Sequence, residues 1–210
     1  MAAVVPISQR SFWARSKKQP PVRQPNAASR KREYLFPDEI ERLIRAARKA
    51  GGRLAQRDAL LIMIAYRHGF RTSELIALKW NDFDFKKGRV HVERLKKGAP
   101  STHPLRGPEL RALSAWERKQ GGGSPYVFTA LGGAPMTRRT IHHVVAEVGK
   151  AAGIEFPVHP HMLRHATGYY LANTGQDIRA IQDYLGHKAI QHTVRYTKLS
   201  DERFKDFWRD

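Results

Sequence analysis

Between Pro37 and Ala47 the apolar residues Ile40, Leu43, Ile44 and Ala47 recur at helical spacing, and Gly51-Gly52 supplies the stop. A more apolar helix is predicted over Leu54 to Tyr66, ending at Gly69. "RTSELIALKW" reads as a short third helix with Thr72 or Ser73 near its cap. The period then drops to two: "FDF", "RVHVERL" and "THPL" alternate as three short strands, parted by Lys87-Gly88 and by Lys97-Gly98. Helical spacing resumes from Pro108 to Gln120, Gly121 to Gly123 interrupt it, and "YVF" reads as a strand or turn. The remainder is helical, over Thr137 to Ala152, Pro160 to Asn173, Asp177 to Tyr184 and a short segment before Tyr196. No internal repeat is visible. The expected fold class is mainly α with a small three-stranded antiparallel sheet.

Composition adds a partner to this picture. The 210 residues suit one domain of ordinary size, and a 41% hydrophobic content is enough for a core. Thirty-eight Lys and Arg stand against nineteen Asp and Glu, a formal charge of +19. Such an excess repels itself unless a polyanion neutralises it, and nucleic acid does so with release of counterions. RNA binding of the ribosomal type and an anionic membrane surface are the competing partners. With no cysteine the chain has no disulfide scaffold and no thiolate metal site. No apolar run approaches the roughly 18 residues of a bilayer span, and no signal-peptide core is present. A soluble, cytoplasmic protein is expected.

Residues 1–32 form a segment of their own. Arg10, Arg15, Lys17, Lys18, Arg23, Arg30, Lys31 and Arg32 occur there without an acidic residue, and Pro6, Pro20, Pro21 and Pro25 interrupt any regular element. This reads as a flexible basic arm, either tracking phosphates or serving as a solvated leader.

Polar residues that interrupt apolar helices carry the candidate chemistry. Arg71 has Glu74 one turn away on the same face, which by itself is an ordinary structural ion pair. In "HPHMLRH", His161 and Arg164 project from one side of a helix, and His187 closes the next helix at "YLGH", where Gly186 permits a tight turn. Tyr196 follows nine residues after His187. His159, His161 and His165 invite a metal reading, since the last two have i,i+4 spacing. Arg164 would set a fixed cation beside the ion, however, and no carboxylate is placed to complete the shell, so no metal or other cofactor is expected.

Two arginines, histidines, a lysine and a tyrosine suit phosphoryl transfer, which is mostly positioning and charge neutralisation. The planar guanidinium donates two parallel hydrogen bonds to phosphate and stays charged. A tyrosine oxygen can attack phosphorus to give a phosphotyrosyl ester, with His and Lys moving the protons. The ester retains the energy of the broken bond, so resealing needs no nucleotide.

The ordered set "HGFRTSEL", "RLKKGAPSTHPL" and "HPHMLRH…LANTGQDIRAIQDYLGH…HTVRYT" resembles the tyrosine recombinase (phage integrase) family. Within it, the likeness is greatest to the short recombinases that invert fimbrial promoter elements. The resemblance covers roughly Tyr34 to Thr197 and implies a catalytic domain over 33–210. It implies that Arg71 and Arg164 clamp the scissile phosphate and that His161 assists as general base and acid. His187 would bond a non-bridging oxygen, and Tyr196 would be the nucleophile joined to the 3′ phosphate. Lys96 is the expected hairpin lysine, with the adjacent Lys97 as its alternative, because a slip of one residue reverses the face. Glu74 would hold Arg71. Tyr34, Tyr66, Tyr126, Tyr169, Tyr170 and Tyr184 are set aside as structural tyrosines.

The implied activity is site-specific cleavage and rejoining of double-stranded DNA, leading to inversion, integration or excision. Implied partners are a homotetrameric synapse and DNA-bending accessory proteins, in a nucleoid-associated setting. A non-catalytic DNA-binding regulator on the same fold is the alternative, and a DNA-relaxing type IB topoisomerase is disfavoured by size and motifs. Most members of the family precede this domain with a separate helical one, whereas only the basic arm precedes Tyr34 here. The tail, about 198–210, places Leu199, Phe204, Phe207 and Trp208 on one side of a short helix. That helix is expected to pack either on its own core or on a neighbouring subunit.

Overall fold

A computed structural model of the chain describes residues 32–94 and 100–197. Eight helices and one sheet appear among them: α1 (Pro37–Lys49), α2 (Ala55–His68), α3 (Thr72–Ala77), β1 (Phe83–Asp84), β2 (Arg89–Val92), β3 (Ser101–Pro104), α4 (Gly107–Gln120), α5 (Arg138–Ala151), α6 (Pro160–Asn173), α7 (Ile178–Leu185) and α8 (Gln191–Thr197). A 3₁₀ turn, Trp80–Asp82, leads into β1. The mainly α fold class with a small three-stranded antiparallel sheet is thus the observed one.

The central element is α2, in which Ala59 through Ala65 are all buried. A helix apolar on every side must be surrounded, and α1, α4 and α6 pack around it. The sheet order is β1-β2-β3, antiparallel throughout, with Phe83 opposite Val90, and Val90 opposite His103. Val90, Val92 and His103 turn inward, while Arg89 and His91 turn out, as the two-residue period requires. A smaller apolar cluster of Tyr169, Ala172, Ile181, Leu185 and Tyr196 joins α6, α7 and α8.

Several helices begin without a Ser, Thr, Asp or Asn cap. Instead a carboxylate three residues on reaches back: Glu39 accepts from Phe36 N–H, Glu74 from Arg71 N–H and Glu109 from Arg106 N–H, each at 2.8–2.9 Å. The expected cap of α3 at Thr72 or Ser73 is therefore replaced by Arg71, because Glu74 supplies the acceptor. α3 also stops at Ala77 rather than running to Trp80. Leu78 turns extended, its carbonyl accepts from Val127 N–H at 3.0 Å, and Lys79 bridges to Tyr126. Of "YVF", Tyr126 is the partner in that isolated bridge, and Val127 and Phe128 form a bend. "FDF" shortens to Phe83–Asp84 because Phe85 enters the turn that Gly88 completes at φ +59°, and of "RVHVERL" the strand takes Arg89–Val92. Arg32, placed at the end of the expected arm, ion-pairs with Glu39 and lies 4.1 Å over the Phe36 ring. Lys96, Lys97, the 198–210 tail and residues 1–31 lie outside the described residues.

Candidate active site

Two helix ends and one helix face build the site. α2 ends at Gly69 and α7 at Gly186, both in the left-handed region at φ +59° and +61°. A side chain at either position would be strained and would also collide. A Cβ on Gly69 would sit 2.4 Å from Leu185 Cδ2, and one on Gly186 2.9 Å from Arg94 Cγ. The two glycines therefore let the ends of α2 and α7 approach, and Arg164 of α6 bonds both. Its Nη1 donates to the Gly69 carbonyl and its Nη2 to the Leu185 carbonyl, the latter at 2.6 Å. Arg164 is only 1% exposed. Burial, then Arg71 and Arg94, push its pKa down to about 9, which leaves it a cation at neutral pH.

Arg71 stands at the start of α3. Its Nη1 donates to Glu74 Oε1 at 2.8 Å and its Nη2 to the Gly186 carbonyl at 3.4 Å. Glu74 has a second cation that the sequence did not suggest: Arg94 Nη1 donates to Glu74 Oε2 at 2.9 Å, and Arg94 Nη2 to the Tyr184 carbonyl. The Arg94 side chain has no exposed surface, and its Nε is buried without a partner. Burial alone would raise the Glu74 carboxyl, but Arg94 and the Arg71 bonds outweigh it and hold it below the usual range. Three arginines thus converge around the end of α7 with one carboxylate between two of them, an electropositive site suited to an anion.

The face of α6 that carries Arg164 also carries His161, His165 and Gly168, at i, i+4 and i+7 along the helix. Tyr196 of α8 lies against this face, 1% exposed. Gly168 makes the room: a Cβ there would sit 2.5–2.6 Å from the Tyr196 ring. The Tyr196 hydroxyl is 3.0 Å from His165 Nδ1. His187, just beyond α7, lies nearly parallel to the Tyr196 ring with centroids 6.1 Å apart, and its Nδ1 is 2.9 Å from the buried Thr193 hydroxyl. Burial, then Arg164 and Arg71, push His187 down to about 3, so it is neutral at physiological pH. Burial also raises the Tyr196 phenol, against the pull of Arg164 and Arg195.

The expected residues Arg71, Arg164, His187 and Tyr196 are therefore gathered at one place, with His161 at its edge. His161 is exposed, yet surrounding protein, then Arg164 and Arg195, lower its pKa. Lys96 lies outside the described residues; within them, Arg94 and β3 are held against α7. Arg94 holds the Tyr184 carbonyl, and the His103 ring of β3 stacks on Tyr184 with centroids 3.8 Å apart. A buried network backs this contact, in which His103 Nδ1 meets His68 Nδ1 at 3.2 Å and His68 Nε2 meets Glu109 at 2.8 Å.

Sequence reasoning missed two site residues. Arg94 carried only the signal of a basic residue in a strand. His165 was weighed for a metal, whereas its ring turns to Tyr196; among the described residues no three His, Cys, Asp or Glu gather around a common point. Of the tyrosines set aside, Tyr184 donates to the Arg67 carbonyl at 2.8 Å and Tyr169 is buried, while Tyr170 is 46% exposed.

A buried tyrosine set among arginines and histidines on a mainly helical frame defines a class, and the chain belongs to the phage integrase family, matching it over residues 33–203. It is 42% identical over 183 residues to the type 1 fimbriae regulatory protein FimE of Escherichia coli K12, covering 85% of this chain and 91% of FimE. It is 34% identical over 179 residues to the tyrosine recombinase XerC of Xanthomonas campestris, covering 85% of this chain and 55% of XerC. The crystal structure of XerA recombinase superposes with a TM-score of 0.72 at 29% identity, covering 83% of this chain and 63% of that one.

Proposed function

We infer that this chain is a tyrosine-type site-specific recombinase, which cleaves and rejoins DNA strands through a 3′-phosphotyrosyl intermediate. The observation that carries the reading is the burial of Tyr196 in the same cluster as Arg71, Arg164 and His187, since a phosphodiester brought there meets cations and a nucleophile together. Family membership and the XerC and XerA relatives support the same reaction class.

In this reading DNA supplies the anion that the three arginines await. Arg71 and Arg164 hold the non-bridging oxygens of the scissile phosphate and neutralise charge as it builds in the transition state. His187 donates to one of those oxygens from Nε2, because Thr193 engages its Nδ1. Tyr196 attacks phosphorus as the bond to the 5′ oxygen breaks. Lys96 donates a proton to that oxygen, and His161 assists proton transfer at the exposed edge. Glu74 keeps Arg71 in place. The 5′ hydroxyl of a partner strand then attacks the ester and releases Tyr196. Two inverted sites give inversion, direct repeats give excision, and sites on separate molecules give integration. The excess of positive charge binds the duplex backbone, in a homotetrameric synapse with DNA-bending proteins, within the cytoplasm at the nucleoid.

Covalent trapping tests the function. A nicked duplex carrying the bound site, drawn from DNA flanking the gene, is incubated with the chain and then denatured. An adduct that forms with the wild type and vanishes in Tyr196→Phe is expected. No adduct on a duplex that is bound at a specific sequence would favour a DNA-binding regulator instead.

A further inference from the structure

We propose that His165 is a catalytic residue, the base that takes the proton of the Tyr196 hydroxyl as that oxygen attacks phosphorus. The proposal rests on the recombinase reading above and adds a residue to it.

The geometry is direct. Tyr196 must lose a proton when its oxygen bonds to phosphorus, and the group in hydrogen-bond contact with that oxygen is His165 Nδ1 at 3.0 Å. Both partners are enclosed, His165 at 5% exposure and Tyr196 at 1%, so bulk water does not compete for the proton. The contact follows from α6 itself. His165 and Gly168 are three apart on one face, so the glycine seats the ring at the height where the imidazole meets the hydroxyl. His161, the other histidine on this face, is exposed and touches the His165 ring edge to face, centroids 4.4 Å apart, with no bond to Tyr196. His161 is therefore the neighbour through which the base reaches the exposed edge, where His161 assists proton transfer.

Charge around the ring explains why the base acts only when DNA is present. The groups facing His165 are His161, Arg195 of α8, Arg164 and His159, together with Tyr196. Burial first, and then these basic groups, hold His165 near 3, so it is neutral with a free lone pair but a weak base. A phosphodiester held by Arg71 and Arg164 cancels much of that positive field, and the extra negative charge of the transition state cancels more. The basicity of His165 then rises at the moment the proton must leave Tyr196. The step balances: the Tyr196 O–P bond forms as P–O5′ breaks, the phenol proton moves to His165 Nδ1, and O5′ takes a proton from the hairpin lysine. In resealing, the attacking 5′ hydroxyl returns its proton to that lysine, and Tyr196 leaves with the proton from His165.

The test is single-turnover cleavage of the duplex that forms the adduct with wild-type chain, using Tyr196→Phe, His161→Gln, His165→Gln and His165→Asn. A second substrate carries sulfur in place of the bridging 5′ oxygen, so that its leaving group needs no acid. His165→Gln should slow adduct formation about 10²–10⁴-fold on both substrates, with DNA affinity and melting temperature retained; His165→Asn controls for folding. The two His165 variants should also speed up in proportion to hydroxide as the phenol ionises unaided, while the wild type levels off. A purely structural role would leave the pH profile parallel to wild type. Cleavage by His165→Gln within threefold of wild type, or a parallel profile, would overturn the proposal. Failure of the wild type itself to form an adduct would instead overturn the recombinase reading.

Discussion

Glu74→Ala isolates the device that holds two of the three arginines. The Glu74 carboxylate is 1% exposed and takes three bonds, from Arg71 N–H, Arg71 Nη1 and Arg94 Nη1, at 2.8–2.9 Å. Arg71 retains access to water, but the Arg94 side chain has none and would keep only the Tyr184 carbonyl. Leaving a buried cation without its partner costs about 3–5 kcal/mol, and losing the helix cap adds about 1 kcal/mol. Against a total stability of roughly 5–15 kcal/mol, the change approaches half. Equilibrium urea unfolding without DNA is the assay: with a slope of about 2 kcal/mol per molar, the midpoint should fall by about 2–3 M. Adding Arg94→Met should restore much of the loss, because no charge is then left unpaired. The pH dependence has a definite sign. The Glu74 carboxyl is depressed in the folded state, so its contribution is present above the unfolded carboxyl pKa and is lost as pH falls through the folded value. A loss below 1 kcal/mol, or single-variant effects that simply add in the double variant, would refute the reasoning.

Gly168→Ala places a methyl group 2.5–2.6 Å from the Tyr196 ring. It should cost about 1–3 kcal/mol in overpacking and slow adduct formation, with DNA affinity in a gel-shift assay unchanged. Lys96→Ala should slow cleavage about 10²–10⁴-fold and recover on the sulfur-bridged duplex, whereas Lys97→Ala should change neither rate; the reverse pattern would move the acid to Lys97.

What was legible in the chain was whatever local spacing controls. Helix ends at Gly69 and Gly186, the α6 face with His161 and Arg164, and the pairing of Arg71 with Glu74 all lie within a few residues of their cause. Arg94 and His165 were not legible as site residues because their partners are distant: Glu74 is 20 residues from Arg94, and Tyr196 is 31 from His165. Alternation in "RVHVER" puts Arg94 on the same side as Val90 and Val92, yet a cation inside is an improbable reading until its carboxylate is seen. "HPHMLRH" offered His165 as a metal ligand by spacing alone, and only the position of α8 gives it a different partner. The end of α3 was misread for the same reason, since Leu78 and Lys79 leave the helix to pair with Tyr126 and Val127.

The least local feature ties the pieces together. Tyr184 is fastened from two sides: Arg94, two residues beyond β2, bonds its backbone carbonyl, and His103 of β3 stacks on its ring. The Tyr184 hydroxyl in turn donates to the Arg67 carbonyl near the end of α2, and Leu185 beside it accepts from Arg164. Burial and then Glu109 raise the Tyr184 phenol to about 12, so it stays a donor. One turn of α7 thereby sets the positions of Arg94, of Arg164 and of His187, three residues after Tyr184. A shift of that turn would move all three relative to Tyr196, which is anchored separately on α6. The glycine at 186 is what permits this: any side chain there would strike Arg94, the residue that locks the strand to the turn.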